Sequence, residues 1–323
     1  MTHRILLAAL ASAVVLAANC GAAQAQQYPG GPIRIMVGFG PGSTADTLAR
    51  LVGKHLEVAL GQPVVVENRP GNSSMIAAEQ VARAPKDGHM LFMGTIAQTL
   101  VPIRTRAKFD LRKDMAPVAL LGVVPNLLVA HPAVTASDVK SLVALARAKP
   151  RAFSFGTSGA GTASHLAAEL FNLKAGTAVL AVHYQGGSNQ ALADLLAGRI
   201  NLMFNVAATL APHVEKGSLK PLGIAQPRRA RRLPKVATMD EQGMPGFDAG
   251  IWIGLLAPVG TPAAVVEKIS VAANAALKAP PSVKALDAAG IDPLGGTPAE
   301  FAAFIRDDVA KWTDVLGKAG LIK

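Results

Sequence analysis

The chain carries one cysteine in 323 residues, Cys20, and aromatic residues make up only 4% of it. One cysteine excludes an internal disulfide, and cysteine-ligated metal sites with it. Charged residues are 16% of the chain, with 32 Lys and Arg against 21 Asp and Glu, for a formal net charge of +11. That excess attracts anions over long range. Few aromatics and a dispersed basic population argue against nucleic acid as the partner. The one basic cluster, Arg228-Arg229-Ala230-Arg231-Arg232, lies between prolines and reads as a solvated loop. After the amino end there is no second long apolar run.

At the amino end, His3 and Arg4 precede a stretch from Ile5 to Ala18 that is apolar but for Ser12, followed by Ala23-Gln24-Ala25. These are the parts of a secretory signal peptide. As a helix the stretch spans roughly 21 Å at about 1.5 Å per residue, short of a hydrocarbon core of about 30 Å. Cleavage is expected after Ala25, which makes residues 1–25 a removable signal and places the mature protein in the periplasm. Cys20 follows Asn19, where lipid-attachment sites need a small residue, so the mature chain is expected to be unlipidated and free of cysteine. What remains is long enough for two ordinary domains.

Short apolar runs alternate with amphipathic stretches of helical length, the signature of an α/β protein with largely parallel sheets. Strands are expected over 33–39, 64–67, 90–94, 127–130, 152–155, 179–184, 202–205, 222–225 and 251–257. Helices are expected over 44–60, 76–84, 139–148, 163–173, 263–278 and 298–317. In the first helix Leu48, Leu51, Val52 and Leu56 fall on one face.

Two strand-to-helix junctions resemble each other. The first reads Phe39-Gly40-Pro41-Gly42-Ser43-Thr44-Ala45-Asp46, followed by Leu48-Ala49; the second reads Phe155-Gly156-Thr157-Ser158-Gly159-Ala160-Gly161-Thr162-Ala163-Ser164, followed by Leu166-Ala167. Each takes a strand through a Phe-Gly pair and a loop of small residues into a helix. Such a helix start carries free N–H donors and the positive pole of the helix, and can hold a carboxylate without an arginine. Ordinary glycine-rich turns with hydroxyl caps are the alternative. Ser43 and Asp46 have capping-box spacing, and Thr162 could cap the second helix.

Nucleotide and catalytic motifs fail in detail. Ser43 stands where G-x-G-x-x-G needs its last glycine, and Thr162 stands where a P-loop needs lysine. No cofactor is expected. Ser158 and His165 offer the residues of an exported hydrolase, the alternative function, but Ala160 breaks the G-x-S-x-G pattern, and the adjacent Ser164 and His165 do not face each other on a helix. The histidines at 55, 89, 131, 165, 183 and 213 have no metal-ligand spacing, so no metal is expected.

A family resemblance runs through nearly all of the mature chain. Tyr28-Pro29, the loop 39–46 with Leu48-Ala49-Arg50, Gly61-Gln62-Pro63 through Glu67-Asn68-Arg69-Pro70-Gly71, Asp87-Gly88, Ser158 through Leu166, Tyr184-Gln185-Gly186, Leu255-Leu256-Ala257-Pro258 with Gly260-Thr261-Pro262, and Gly295-Gly296-Thr297-Pro298 are similar to the solute-binding receptors of tripartite tricarboxylate transporters, often called the Bug type. The resemblance implies a non-catalytic, monomeric receptor with a two-lobed periplasmic binding fold of type II-like order. Each lobe would be a mostly parallel sheet flanked by helices, with 26–124 and 251–323 forming lobe 1 and 125–250 lobe 2. It also implies an organic acid held between the lobes for a membrane permease. The expected site comprises Phe39, Gly40, Gly42, Ser43, Thr44, Asp46, Thr157, Ser158, Gly159, Gly161, Thr162, Ser164, His165, Tyr184 and Asn205, with Thr95 added because it follows a strand end. Asn205 stands where the family pattern has aspartate, which would disfavour a cationic group on the ligand.

Overall fold

The structure, a computed structural model, describes residues 28–105, 107–185 and 187–322. The expected signal peptide, its cleavage point and Cys20 lie outside the described residues. Two sheets organise the chain. The first has the order β11 (Asp292–Pro293), β4 (Met115–Val124), β10 (Ile251–Pro258), β3 (Met90–Thr95), β1 (Ile33–Val37), β2 (Val64–Asn68). The second has the order β7 (Leu180–His183), β6 (Ser154–Thr157), β8 (Leu202–Val206), β5 (Asn126–Ala130), β9 (Lys220–Ile224).

Both sheets are mixed. In the first, β2, β1 and β3 run parallel, while β10 is antiparallel to β3 and β4. In the second, β6 is parallel to β7 and β8, and β5 is antiparallel to both β8 and β9. Strand β11 is antiparallel to β4, and the other reversals involve the strands at the two passages between sheets. Only Pro125 separates β4 from β5, and β10 returns the chain to the first sheet.

Period-two alternation fixes which side chains go to which face. In β1, Ile33, Ile35 and Val37 join an apolar cluster with Leu48, Val52 and Leu56 of α1 (Thr44–Leu60), while Met36 faces the opposite layer. In β5, Leu127 and Val129 face a cluster with Leu210 on α8 (Ala207–Glu215), and Leu128 faces the other side. That other side belongs to the same apolar cluster as Met36, which therefore runs from one lobe into the other. Phe155, Phe204 and Phe247 form its middle, with ring centroids 5.5 and 5.9 Å apart, and Trp252 and Phe301 continue it at 5.7 Å.

The remaining helices are α2 (Met75–Ala82), α3 (Ala97–Thr105), α4 (Leu111–Asp114), α5 (Val139–Ala148), α6 (Ala163–Ala175), α7 (Gly187–Leu196), α9 (Ala263–Lys278), α10 (Pro280–Ala289) and α11 (Pro298–Lys318). Helix α11 packs against β4 and α3 of the first lobe and α6 of the second. The buried Asp308 of α11 accepts hydrogen bonds from Trp252 Nε1 and Trp312 Nε1, both at 2.9 Å, and pairs with Lys311 at 3.0 Å. In the basic cluster, Arg229 pairs with Glu241 and Arg231 with Asp287, so these cations are partnered at the surface. Among the described residues no helix is long and apolar enough to cross a membrane.

Candidate functional site

Helix α1 begins beyond the carboxyl end of β1, and α6 beyond the carboxyl end of β6. In open α/β sheets ligands bind at that edge. The two helix starts share a geometry that the Phe-Gly pairs do not mark. Phe155 lies inside β6 and is fully buried, whereas Phe39 lies past the end of β1 and is half-buried. The matching residues are instead Gly40-Pro41-Gly42-Ser43 and Gly159-Ala160-Gly161-Thr162.

In the first loop, Gly42 has φ +80°, Ser43 N–H donates to Gly40 O at 3.3 Å, and Asp46 Oδ2 accepts from Gly42 N–H at 2.9 Å. In the second, Gly161 has φ +70°, Thr162 N–H donates to Gly159 O at 3.3 Å, and His165 Nδ1 accepts from Gly161 N–H at 2.7 Å. A left-handed glycine therefore precedes each cap residue, and the third helical residue reaches back to its amide. No protein acceptor among the described residues takes the amides of Thr44 and Ala45, nor those of Ala163, Ser164 and His165. These are the free donors of a helix start.

Asp46 is 3% exposed. Besides Gly42 N–H it accepts from Asn68 Nδ2 at 2.8 Å and Arg50 Nε at 3.1 Å, and Asn68 Nδ2 also reaches Phe39 O at 3.0 Å. Burial pushes the Asp46 carboxyl up, but hydrogen bonds from Arg50, Gly42 and Asn68, with the charge of Arg50, outweigh it and hold the group below the usual carboxylate range. Ser43 caps α1 by accepting from Asp46 N–H at 3.2 Å. Thr162 occupies the cap position of α6, but its hydroxyl donates to Gly159 O at 2.8 Å and does not cap the helix.

Around Thr162 the hydroxyls form a closed set. Ser158 Oγ lies 3.2 Å from Thr162 Oγ1 and 3.0 Å from Ser164 Oγ, and Ser164 Oγ accepts from Ser158 N–H at 3.0 Å. His165 is 3% exposed, with Nε2 3.3 Å from Glu169 Oε1. Neither of its nitrogens reaches Ser158, so the pair is not arranged as nucleophile and base. The buried Thr157 bonds His183 Nδ1 at 2.8 Å, and the His165 and His183 rings meet edge-on at 4.5 Å. Burial, then the neighbouring His165, push the His183 imidazole down, with Glu169 opposing. Tyr184 N–H donates to Thr157 O, and its hydroxyl donates to Asp194 at 2.8 Å. Asn205, half-buried near the end of β8, accepts from Val206 N–H at 2.8 Å. Thr95 is buried, and its hydroxyl accepts from Ala97 N–H at the start of α3.

Two features escaped the sequence reading. Arg104, on α3 of the first lobe, donates to Gly161 O at 3.2 Å, and a Cβ at Gly161 would lie 2.0 Å from its guanidinium carbon. No motif announces that contact. The second is the turn Asn72-Ser73-Ser74, whose φ angles are 45°, 51° and 74°. Its Ser74 fills the space beside Gly38, where a Cβ would lie 1.8 Å from Ser74 Oγ. Ser74 Oγ, Gln98 Nε2 and Thr99 Oγ1 are all buried without a partner among the described residues. Concave surfaces also occur away from the loops, one of about 390 Å³ lined by Leu120, Val123, Gln226, Trp252 and Phe304.

Two sheets joined where β4 runs on into β5 and where β10 returns to the first, with a helix start at the carboxyl edge of each, define a two-lobed solute-binding receptor. The comparisons name the kind. The family model described as tripartite tricarboxylate transporter family receptor matches residues 48–321, and the chain belongs to that family. Protein BugT of Bordetella pertussis (strain Tohama I) is 31% identical over 318 residues, covering 98% of this chain and 97% of BugT. The R. palustris protein Rpa4515, solved with adipate, is 32% identical with a TM-score of 0.71, covering 91% of this chain and 98% of that one. A TctC solute-binding protein from Polaromonas, solved with no ligand, is 25% identical with a TM-score of 0.84, covering 90% and 99%.

Proposed function

We propose that the chain is an exported periplasmic receptor that captures a small carboxylate-bearing solute between its lobes and delivers it to the membrane permease of a tripartite tricarboxylate transporter. The observation that carries this reading is the matched pair of helix starts, one per lobe, each with unpaired amides beyond a left-handed glycine. Backbone donors at a helix start suit a carboxylate, and glycine lets it approach closely. Binding of adipate by the related Rpa4515 supports the same ligand class.

In this reading residues 26–124 and 251–323 form lobe 1, 125–250 form lobe 2, and residues 1–25 are removed on export. The solute contacts the loops 39–45 and 157–164, while Asp46 and His165, whose polar atoms are engaged inside the protein, hold those loops in shape. Thr95, Tyr184 and Asn205 stand behind or beside them. The protein works as a monomer without metal or cofactor and turns nothing over. Stronger superposition on a ligand-free receptor than on the adipate-bound one, at lower identity, supports an open state that closes on ligand.

The test is a thermal-shift screen of the mature protein against mono-, di- and tricarboxylates, aromatic acids and amino acids. A carboxylate at about 100 times its dissociation constant adds roughly 2.7 kcal/mol to stability. A panel in which neutral solutes shift the protein and no carboxylate-bearing compound does would overturn the reading. Turnover of the best-shifting ligand that disappears in S158A would favour the hydrolase instead.

A further inference from the structure

We propose that His165 is a positioning residue whose neutral imidazole clasps Gly161, so that its protonation unlocks the second loop and weakens solute capture. A nitrogen that accepts the Gly161 N–H at 2.7 Å must present a lone pair, which places the ring proton on Nε2, facing Glu169 at 3.3 Å. A second proton on Nδ1 would set two N–H groups against each other across that distance. The ring is buried and cannot turn into water to relieve the conflict, so the loop must move.

The charged groups around the ring are few. Glu169 lies one turn along α6 and His183 packs edge-on from β7, while Arg104 of α3 sits on the Gly161 carbonyl. Strands β6 and β8, also packed on α6, bring no titratable side chain, and α11 has its buried acid tied to Trp252, Trp312 and Lys311. Glu169 thus favours a charged ring while the Gly161 amide requires a neutral one. Such opposed demands make an imidazole a switch. The first loop has none, because Asp46 accepts from Gly42 as a carboxylate held ionised by Arg50 and Asn68.

The clasp stands on geometry alone; its effect on capture rests on the proposed function. Two measurements on the mature, ¹⁵N-labelled protein, followed with falling pH across the protonation of its histidines, test them separately. In the wild type the Gly161 amide resonance and its exchange rate titrate together with the His165 ring. In H165N, whose Oδ1 can accept the amide proton but cannot titrate, they stay flat. The dissociation constant for adipate, or for the strongest carboxylate of the screen, rises roughly 2- to 10-fold on acidification, the equivalent of one net hydrogen bond. That slope vanishes in H165N and in H165D/E169R, which transplants the Asp46 and Arg50 pair, whatever the variants' absolute affinities. A Gly161 amide indifferent to His165 titration overturns the clasp, and needs no variant to be seen. Wild-type pH dependence of affinity retained in H165N overturns the effect on capture. A titrating clasp with no carboxylate bound at any pH leaves the clasp standing and sinks the proposed function instead.

Discussion

Gly42-Ser43 in the first lobe and Gly161-Thr162 in the second occupy the same places before a helix, yet the third helical residue is an acid in one and an imidazole in the other. One turn on, the charges are reversed again: Arg50 follows Asp46, and Glu169 follows His165. What the two loops share is an acceptor reaching back to a left-handed glycine, and what they do not share is charge. The backbone shape of such a helix start therefore depends on a lone pair in the right place. Charge at that position is free to serve another purpose, permanence in the first loop and titration in the second.

The comparison can be broken by substitution. Asp46→Ala removes the acceptor for Gly42, Asn68 and Arg50 together and is expected to destabilise the protein by about 2–4 kcal/mol in urea unfolding, with Asp46→Asn costing less because one acceptor oxygen remains. A loss below that of Asp46→Asn would show that the first loop does not depend on its acid. Alanine at either glycine forces a side chain into the left-handed region, at about 1–2 kcal/mol. Gly161→Ala should cost the more, because its Cβ also displaces the Arg104 guanidinium whereas nothing lies within 4 Å of a Cβ at Gly42. Equal losses at the two glycines would mean that the exposed Arg104 guanidinium swings aside without cost and does not brace the second loop.

Acid should separate the loops. The folded pKa of His183 is depressed, so the stability tied to its neutral form is present above the ordinary imidazole range and lost as pH falls through the folded value. Asp46 is depressed too, and its contribution survives until pH falls below the usual carboxylate range. Hydrogen exchange should thus show the strand ends joined by the Thr157–His183 bond loosening as pH falls below the ordinary imidazole range, with residues 40–46 following only below about pH 4. Simultaneous loosening would contradict the difference drawn between them. The smallest effect is expected from Arg104→Ala, about 0.5–1.5 kcal/mol for one hydrogen bond from an exposed side chain. Its readout is the Gly161 amide shift.

Much of the architecture was legible because hydrophobic periodicity is strong where an element packs on one face. The helices 44–60, 139–148 and 263–278 stand over the residues their patterns indicate. The longest strand, Met115–Val124, was not foreseen, since Pro117 interrupts it and its apolar run merges with the next strand across Pro125. Helices α7 and α8 were missed as well, because the glycine before one and the strand-like residues before the other gave no clear start. The site was legible only as loops. Glycine spacing pointed to both helix starts, but the Phe-Gly pairs suggested a register that the structure does not keep. The roles of Asp46 and His165 depend on where a side chain folds back, and Arg104 arrives from 57 residues away. Spacing along the chain encodes neither.

A crystal structure of the mature protein with adipate tests the central claim most directly. The account predicts the carboxylates within hydrogen-bonding distance of the amides of Thr44 and Ala45 on one lobe and of Ala163 and Ser164 on the other, with the lobes closed around the chain between them. Adipate seated instead in the concavity beside Trp252 and Phe304, with both helix starts still open to water, would contradict it.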